Sequence, residues 1–390
     1  MKSIKLPLLA KVLIAIALGI ATSYFMPMFL TRIFETINAI FSSYLGFVIP
    51  FIIVGLVAPS IQELGSRAGK MVLITAFIAY ASTIFAGYLS FFTATATYPT
   101  ILSGASFQSV DIDSAVAVAP LFKIDMPPLF GVTSALILAF VVGLTTASFK
   151  REGSVMVKFL NEFREIVMSL INRSIIPMLP IYIYGIFLKL GVEGQVAPII
   201  SLFIKVIGII FVLHIGLLLL QFCIAGAVSR KNPLKSLLGM MPAYFTALGT
   251  QSSAATIPVT LGCAKKLGVS DDVAEFTVPL CATIHLSGSM LKIVACAMAI
   301  AFMTDMPLGI DLYSGFIFML AITMVAAPGV PGGAIMAALA LLGSQLGFDE
   351  VQSGLMIALY IAMDSFGTAC NVTGDGAISM IVNSISKRGK

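Results

Sequence analysis

Eight long apolar segments divide this chain, and they restrict its fold more than any other feature of the sequence. A helix needs about 20 apolar residues to cross the hydrocarbon core of a bilayer, and the backbone there must satisfy its own hydrogen bonds. Only 11% of the residues are charged, less than half of the ~25% typical of soluble domains. The segments comprise residues 7–27, 36–61, 70–95, 129–149, 174–191, 196–228, 272–303 and 351–384. The sequence therefore predicts an all-α polytopic membrane protein with eight transmembrane helices.

The charges near the helix ends predict how these helices are oriented. Lys2, Lys5 and Lys11 precede or open the first apolar segment, which is long enough to remain as a membrane helix rather than a cleaved leader. If the N-terminus is cytoplasmic, most of the 23 lysine and arginine residues fall on the inner side, and the outer loops are mainly acidic. We therefore expect a multi-pass protein of the cytoplasmic (inner) membrane with both termini in the cytoplasm. The net charge of +5 needs no nucleic-acid partner to explain it.

Two further apolar stretches do not fit a simple crossing. Residues 233–266 have basic residues at both ends, and their centre, Thr250–Thr256, is too polar for contact with lipid. Residues 311–347 have acidic residues at both ends, and their centre, Ala327–Gly333, contains two prolines that no continuous helix tolerates. Non-helical backbone at membrane depth persists only inside protein or beside a cavity. The pattern predicts two re-entrant helical hairpins that enter from opposite faces, as inverted repeats around a central site produce.

Carboxylates inside the last apolar segment point to transport. Asp364 and Asp375 lie eleven residues apart, about three helical turns, so they fall on nearly the same face of a helix. Charged groups at this depth are costly and usually mark a substrate or ion path. Outside the spans, residues 152–173 predict an amphipathic helix on the cytoplasmic surface, and residues 96–128 an external loop.

Four separated motifs in the second half of the chain resemble those of a known family. They are Gln251–Ser253 with Thr256–Thr260, Pro279–Ile284, Gly329–Met336 and Asn371–Asp375. In this order they are similar to motifs of the dicarboxylate/amino acid:cation symporter family, the glutamate transporter homologues. The resemblance implies a homotrimer and an elevator-type movement of a transport domain against a scaffold. It assigns residues 1–69 to scaffold helices 1 and 2, and residues 70–95 to helix 3 of the transport domain. Residues 96–191 contain the external loop and scaffold helices 4 and 5, with the amphipathic helix 152–173. Residues 192–390 form the rest of the transport domain, with helix 6, hairpin 233–266, helix 7, hairpin 311–347 and helix 8.

The same resemblance implies binding roles for individual residues. The expected substrate contacts are Ser252 and Ser253 at the first hairpin tip, Val330 and Gly332 at the second, and Ser289, Asp364, Thr368 and Asn371 on the last two spans. Within this set, Ser252 and Ser253 match the contact to the substrate α-carboxylate, and Asp364 matches the carboxylate that holds the substrate ammonium. The expected cation ligands are Asp375, Asn371, Cys281, Thr283 and His285. Hard oxygen ligands such as the Asp375 carboxylate suit a hard cation, and sodium is the expected coupling ion.

Three departures from the family pattern bear on the substrate and the ion. Members that carry acidic amino acids have an arginine where this chain has Gly367, so no guanidinium is available here for a side-chain carboxylate. The family sequence Asn-Met-Asp-Gly-Thr becomes His285-Leu286-Ser287-Gly288-Ser289, which replaces a sodium-binding aspartate by serine. Lys292 follows His285 by two turns, and a lysine at membrane depth rarely faces lipid. We hypothesise that the Lys292 ammonium enters the substrate pocket and pairs with Asp364 or with the substrate, or replaces a lost cation.

These features favour a secondary active symporter for a neutral amino acid such as serine, threonine or alanine, driven by a sodium gradient and needing no cofactor. The alternative is a symporter for a dicarboxylate or another small organic acid, coupled to protons through His285 and Lys292, because an imidazole titrates near neutrality. A third option is an intramembrane hydrolase with Ser252 or Ser253 as nucleophile and His285 as base, although no nucleophile-elbow motif surrounds the serines. A passive channel is the fourth option, and accumulation of solute against its gradient distinguishes it from a symporter.

Overall fold

The computed structural model describes residues 6–66, 70–102, 118–148, 154–325, 327 and 331–388, and within these ranges all regular structure is helical. The helices are α1 Leu8–Ser23, α2 Met28–Ser66, α3 Lys70–Ile101, α4 Val132–Ala147, α5 Val155–Leu170, α6 Ile176–Val192, α7 Val196–Ser229, α8 Pro233–Gly239, α9 Met241–Thr250, α10 Ser253–Lys266, α11 Asp271–Ile284, α12 Ser287–Met303, α13 Ile310–Met324, α14 Gly333–Leu346, α15 Glu350–Ala362 and α16 Asp364–Arg388. The predicted all-α class is confirmed.

Several of these helices are compatible with a membrane. Among the described residues, five stretches of helix are long and apolar enough to cross a bilayer, and a sixth arises if α15 and α16, which bend by 60° at their junction, form one span. Four shorter apolar helices, α1, α4, α13 and α14, accompany them. The predicted first and fourth spans correspond to α1 and α4, which have 16 residues each. The count of eight crossings stays a prediction.

The predicted amphipathic helix at residues 152–173 forms as α5, but it does not end there. A π-helical turn, Ile171–Ile175, continues it into α6, so that Val155–Val192 is a single candidate span. The physical reason is local, because no glycine or proline interrupts the sequence before Pro177. The apolar face of α5 packs on α2. Its position on the cytoplasmic surface stays a prediction.

The first half of the chain is held together by close helix pairs in which glycine lets backbones approach. α1 packs against α6, and α2 packs against α4. A Cβ at Gly19 would lie 2.7 Å from Tyr184 O, and a Cβ at Gly143 would lie 2.8 Å from Ala58 O. Association of membrane helices depends on this kind of close packing, because lipid tails are as apolar as the side chains.

Substituting Gly143 with alanine is expected to destabilise the pair of α2 and α4. The added Cβ would press on a backbone carbonyl, and overpacking of this kind costs about 1–3 kcal/mol. Gly46 of α2 is a matched control, because a Cβ there meets nothing within 4 Å. We expect the midpoint of thermal unfolding in detergent to fall for Gly143→Ala and not for Gly46→Ala. Equal midpoints would contradict the close approach.

The second half of the chain encloses α12. Every residue of α12 except Phe302 is buried, and α3, α7, α15 and α16 pack around it. Two helix pairs, α9 with α10 and α13 with α14, pack against each other across the predicted hairpin tips. Because α12 is enclosed on all sides, its polar side chains face other helices and not lipid.

Candidate functional site

The predicted helices 7 and 8 are both broken near the middle of the bundle. The sequence predicts continuous spans at 272–303 and 351–384, whereas the structure interrupts the first at His285 and Leu286 and the second at Met363. Each break exposes N–H groups at a helix N-terminus, which attract anionic or carbonyl partners. These two breaks, together with the two hairpin tips, surround the polar side chains described below.

Asn371 stabilises the first of these breaks. Its Oδ1 accepts hydrogen bonds from Gly288 N at 2.8 Å and Ser289 N at 3.2 Å, and its Nδ2 donates to Ser289 Oγ at 3.0 Å. The amide therefore caps the N-terminus of α12 in the way that a side chain caps any helix. Its expected roles as substrate contact and cation ligand stay predictions, and in this conformation both lone pairs of Oδ1 are already engaged.

Lys292 and Asp364 form a buried ion pair. Lys292 Nζ lies 3.4 Å from Asp364 Oδ1, donates to Tyr360 O at 3.3 Å, and sits 3.4 Å from the centroid of the Tyr360 ring. Lys292 is 0% exposed and Asp364 is 5% exposed. A buried charge needs a partner, because desolvation of each ion is costly. Of the arrangements proposed for Lys292, the pair with Asp364 is the one found, and the ring adds a cation–π contact.

Gly367 provides the space for this ammonium. A Cβ at Gly367 would lie 2.9 Å from Lys292 Nζ, and Ser289 Oγ would be 3.7 Å away. The Lys292 ammonium of α12 thus fills the space that a side chain at position 367 would need. A larger side chain at Gly367 would displace the ammonium.

The second oxygen of Asp364 connects α16 to the second hairpin. Gly332 N donates to Asp364 Oδ2 at 2.7 Å. Gly332 has φ of +76°, a left-handed conformation that glycine adopts without steric cost. Asp364 is also the first residue of α16, where a carboxylate is favoured by the helix dipole. Val330, the other residue expected at this tip, lies outside the described residues.

The first hairpin tip lies against the start of α16. Gln251, with φ of +53°, donates from Nε2 to Ser365 Oγ at 2.8 Å. Ser252 caps α10 by accepting a hydrogen bond from Ala255 N at 3.3 Å, and Ser253 is buried. The tip serines therefore lie at the N-terminus of α10, near the residue that follows Asp364, although their role toward substrate stays a prediction.

The remaining expected substrate contacts lie on the same two helices. Ser289 Oγ accepts a hydrogen bond from Tyr360 OH at 3.3 Å, which ties it to the aromatic ring beneath Lys292. Thr368 is buried one helical turn after Asp364. Tyr360 itself was not anticipated from the sequence, because a tyrosine within an apolar span has no distinctive pattern.

A second buried cluster forms around Asp375. His285 Nδ1 lies 2.9 Å from Asp375 Oδ1, and His285 Nε2 lies 3.1 Å from Ser82 Oγ of α3. Gln221 of α7 donates from Nε2 to Ser82 Oγ at 3.0 Å and to Ser287 Oγ at 3.1 Å. The cluster therefore joins four segments of the chain through five polar side chains. Both ring nitrogens of His285 have partners here, Asp375 and Ser82. The geometry therefore does not support the hydrolase alternative, in which His285 would act as general base for Ser252 or Ser253.

Oxygen atoms in this cluster remain available for a cation. Among the described residues of this cluster, Asp375 Oδ2 and Gln221 Oε1 are buried and have no hydrogen-bond partner. A Cβ at Gly374 would lie 2.7 Å from Gln221 Oε1, so glycine admits the amide close to α16. Buried oxygens without partners are unfavourable unless a ligand satisfies them, and a carboxylate with neutral oxygens suits a hard monovalent cation.

The other expected cation ligands are placed differently. Cys281 is buried, whereas Thr283 is exposed and donates from Oγ1 to Leu280 O at 2.8 Å. The structure therefore does not bring the Thr283 side chain to Asp375. Gln221 is not among the residues predicted from the sequence, although a polar amide inside the apolar segment 196–228 is itself a signal of function at membrane depth.

Comparison with known proteins identifies a family for this chain. The sodium:dicarboxylate symporter family matches residues 8–385. Excitatory amino acid transporter 3 of Mus musculus is 32% identical over 275 residues, covering 66% of this chain and 49% of the mouse protein. Excitatory amino acid transporter 2 of Homo sapiens is 30% identical over 63% of this chain and 43% of the human protein. Neutral amino acid transporter A of Bos taurus is 27% identical over 65% of this chain and 48% of the bovine protein.

The matched regions span about half the length of these relatives or less. The family match itself extends over nearly the whole chain, and the resemblance drawn from the four motifs is confirmed. The chain belongs to the sodium:dicarboxylate symporter family.

Proposed function

We propose that the chain is a secondary active symporter that moves a small carboxylate solute across a membrane together with a cation. Its family is one of sodium:dicarboxylate symporters, and two buried polar clusters lie among apolar helices. One cluster is centred on Lys292 and Asp364, the other on His285 and Asp375. A substrate site beside an ion site is what coupled transport requires, since neither ligand should move alone.

The Lys292–Asp364 ion pair is the observation that carries the choice of substrate. In the family pattern Asp364 would receive the ammonium of an amino acid, but here Lys292 Nζ and Gly332 N already occupy its two oxygens. An amino acid would have to displace the lysine, whereas an acid without an amino group need not. We therefore favour a small organic acid, held by Lys292 and by the hydroxyl and N–H groups of the hairpin tip at Ser252 and Ser253.

A neutral amino acid is the second candidate. It was the leading expectation from the sequence, because Gly367 replaces the arginine of acidic-substrate members. Similarity to neutral amino acid transporter A of Bos taurus supports it. In that case Lys292 would release Asp364 when the substrate enters.

The coupling cation is proposed to bind beside Asp375. Sodium is favoured by the family and by the unpartnered oxygens of Asp375 and Gln221. The alternative coupling ion is the proton, with His285 as its carrier.

We further propose an elevator-type movement of residues 70–95 and 192–390 against a scaffold, a homotrimer, and an inner-membrane location with both termini in the cytoplasm. The bilayer, the solute and the cation are then its partners, without a cofactor.

Uptake by the reconstituted protein tests this proposal. Proteoliposomes would receive radiolabelled succinate, lactate, aspartate, serine and alanine under an inward sodium gradient and, separately, an inward proton gradient. We expect accumulation of one of the amine-free acids above its external concentration. Accumulation of serine or alanine alone would replace the first candidate by the second, and equilibration without accumulation would support a channel.

A further inference from the structure

A small cavity opens at the basic end of the bundle, outside both polar clusters. It has a volume of about 100 Å3 and is lined by Ser229, Lys231, Gly268, Asn383, Ser384 and Lys387, with two apolar neighbours. Asn383 follows Asp375 by eight residues and Asp364 by nineteen, which is about 12 Å and about 28 Å along α16, and none of the lining residues belongs to either cluster. The cavity therefore belongs neither to the proposed solute site nor to the cation site.

The end of α7 places Lys231 on the cavity wall. Arg230 has φ of +55° and closes the helix with a left-handed turn, and Lys231 N donates to Gly226 O at 3.0 Å. The Lys231 ammonium then donates to Leu267 O. A Cβ at Gly268 would lie 2.6 Å from Lys231 Nζ, so only glycine admits the ammonium here.

The opposite wall is fixed by Asn383, which is 6% exposed. Its Oδ1 accepts hydrogen bonds from Ser270 N at 3.2 Å and Ser270 Oγ at 3.1 Å, and its Nδ2 donates to Gly268 O at 3.2 Å. These bonds hold the turn between α10 and α11 against α16. The cavity is therefore a built feature of the packing and not a gap between loose side chains.

The charge on this cavity is positive and has no internal counter-charge. None of the described residues that line it is acidic, and within the described chain neither Lys231 nor Lys387 forms an ion pair. By contrast, Lys265 nearby in sequence is neutralised by Asp271 at 3.2 Å and Glu275 at 2.8 Å. Two uncompensated ammonium groups across a cavity of this size attract an anion.

We propose that this cavity binds a phosphate group. Lys231 and Lys387 would supply charge-assisted hydrogen bonds, and the hydroxyls of Ser229 and Ser384 can turn toward the ligand from their helical carbonyls. Space of about 100 Å3 exceeds what a few waters need and accommodates a tetrahedral oxyanion. Two sources have this chemistry, the headgroup of an anionic phospholipid at the basic membrane face and free inorganic phosphate.

Binding to the purified full-length protein would test the site and separate the sources. Native mass spectrometry would count bound phosphatidylglycerol and phosphatidylcholine, and thermal unfolding in lipid-depleted detergent would be followed with added sodium phosphate. The variants are Lys387→Gln and Lys231→Gln/Lys387→Gln. The matched control is Lys235→Gln, a lysine of α8 at the same end of the bundle that does not line the cavity.

We expect one saturable anionic ligand per chain, with Lys387→Gln weakening its binding about tenfold, as loss of one charge-assisted hydrogen bond predicts. Lys235→Gln should bind the anionic ligand like the parent protein.

Stabilisation by phosphate alone would identify free inorganic phosphate as the ligand, and binding of phosphatidylglycerol alone would identify the lipid headgroup. Equal binding by Lys387→Gln and the parent would overturn the proposal, as would equal losses in Lys387→Gln and Lys235→Gln. The Lys231 ammonium also donates a hydrogen bond to Leu267 O, so the double variant could fail to fold for that reason. The single variant Lys387→Gln then tests the proposal by itself.

Discussion

Replacing Lys292 with methionine is expected to abolish uptake of the proposed organic acid, reducing it by about 100-fold or more. Methionine has a similar length and no charge, so it removes the ammonium without opening a large cavity. The solute would lose its charge-assisted hydrogen bond, and Asp364 would remain buried without a cation. Removing one partner of a buried ion pair costs about 3–5 kcal/mol. Initial rates in proteoliposomes and the thermal midpoint of the same preparation would measure the two effects.

The double variant Lys292→Met/Asp364→Asn separates transport from stability. It removes both charges, so the thermal midpoint should recover toward that of the parent while uptake stays absent. Lys205→Met is the matched control, because Lys205 lies in the apolar helix α7 and forms no ion pair among the described residues. It should transport normally.

The same substitution distinguishes the two substrate candidates. If the natural substrate is a neutral amino acid, Lys292→Met frees the Asp364 carboxylate for the substrate ammonium, and uptake of serine or alanine should rise. Unchanged uptake of every solute in Lys292→Met would remove the lysine from the mechanism altogether.

Much of this architecture could be predicted because membrane depth makes polar residues conspicuous. Asp364, Asp375 and Lys292 were recognised from the sequence since each is a charge inside an apolar segment. The two hairpins are predicted because residues 233–266 and 311–347 each carry charges of one sign at both ends. In the structure α9 packs with α10 and α13 with α14, and their entry from opposite membrane faces stays a prediction. For Lys292 the sequence left three arrangements open, namely pairing with Asp364, pairing with the substrate or replacing a lost cation, and in the structure its ammonium lies 3.4 Å from Asp364 Oδ1.

The remaining features could not be predicted because they depend on tertiary contacts. The break before α12 contains neither glycine nor proline, and it persists because Asn371, 83 residues after Gly288, caps the new helix end. The pairing of His285 with Asp375 and Ser82 likewise joins residues distant in sequence. A family motif indicates which positions matter, but a departure such as His285 acquires its meaning only from its neighbours.

Asp375→Asn is expected to abolish accumulation of solute against its gradient. Asparagine keeps the shape of the side chain and an oxygen that can accept from His285, so the cluster should remain folded. It removes the negative charge that a bound cation needs, and buried cations without a counter-charge are strongly disfavoured. Uptake under an imposed gradient measures the loss, and Asp311→Asn, an exposed carboxylate in the first turn of α13, is the control that should accumulate solute normally.

If Asp375→Asn abolishes accumulation, the variant Gln221→Leu distinguishes sodium from the proton as the coupling ion. If sodium is bound, the Gln221 Oε1 ligand is lost, and the sodium concentration for half-maximal uptake should rise about tenfold, the equivalent of one weakened ligand contact. If a proton on His285 is the coupling ion, no oxygen ligand is needed, and uptake driven by a pH gradient should persist in Gln221→Leu. Normal accumulation by Asp375→Asn would contradict both outcomes, because the one carboxylate that the described residues bring to this cluster would then have no part in coupling.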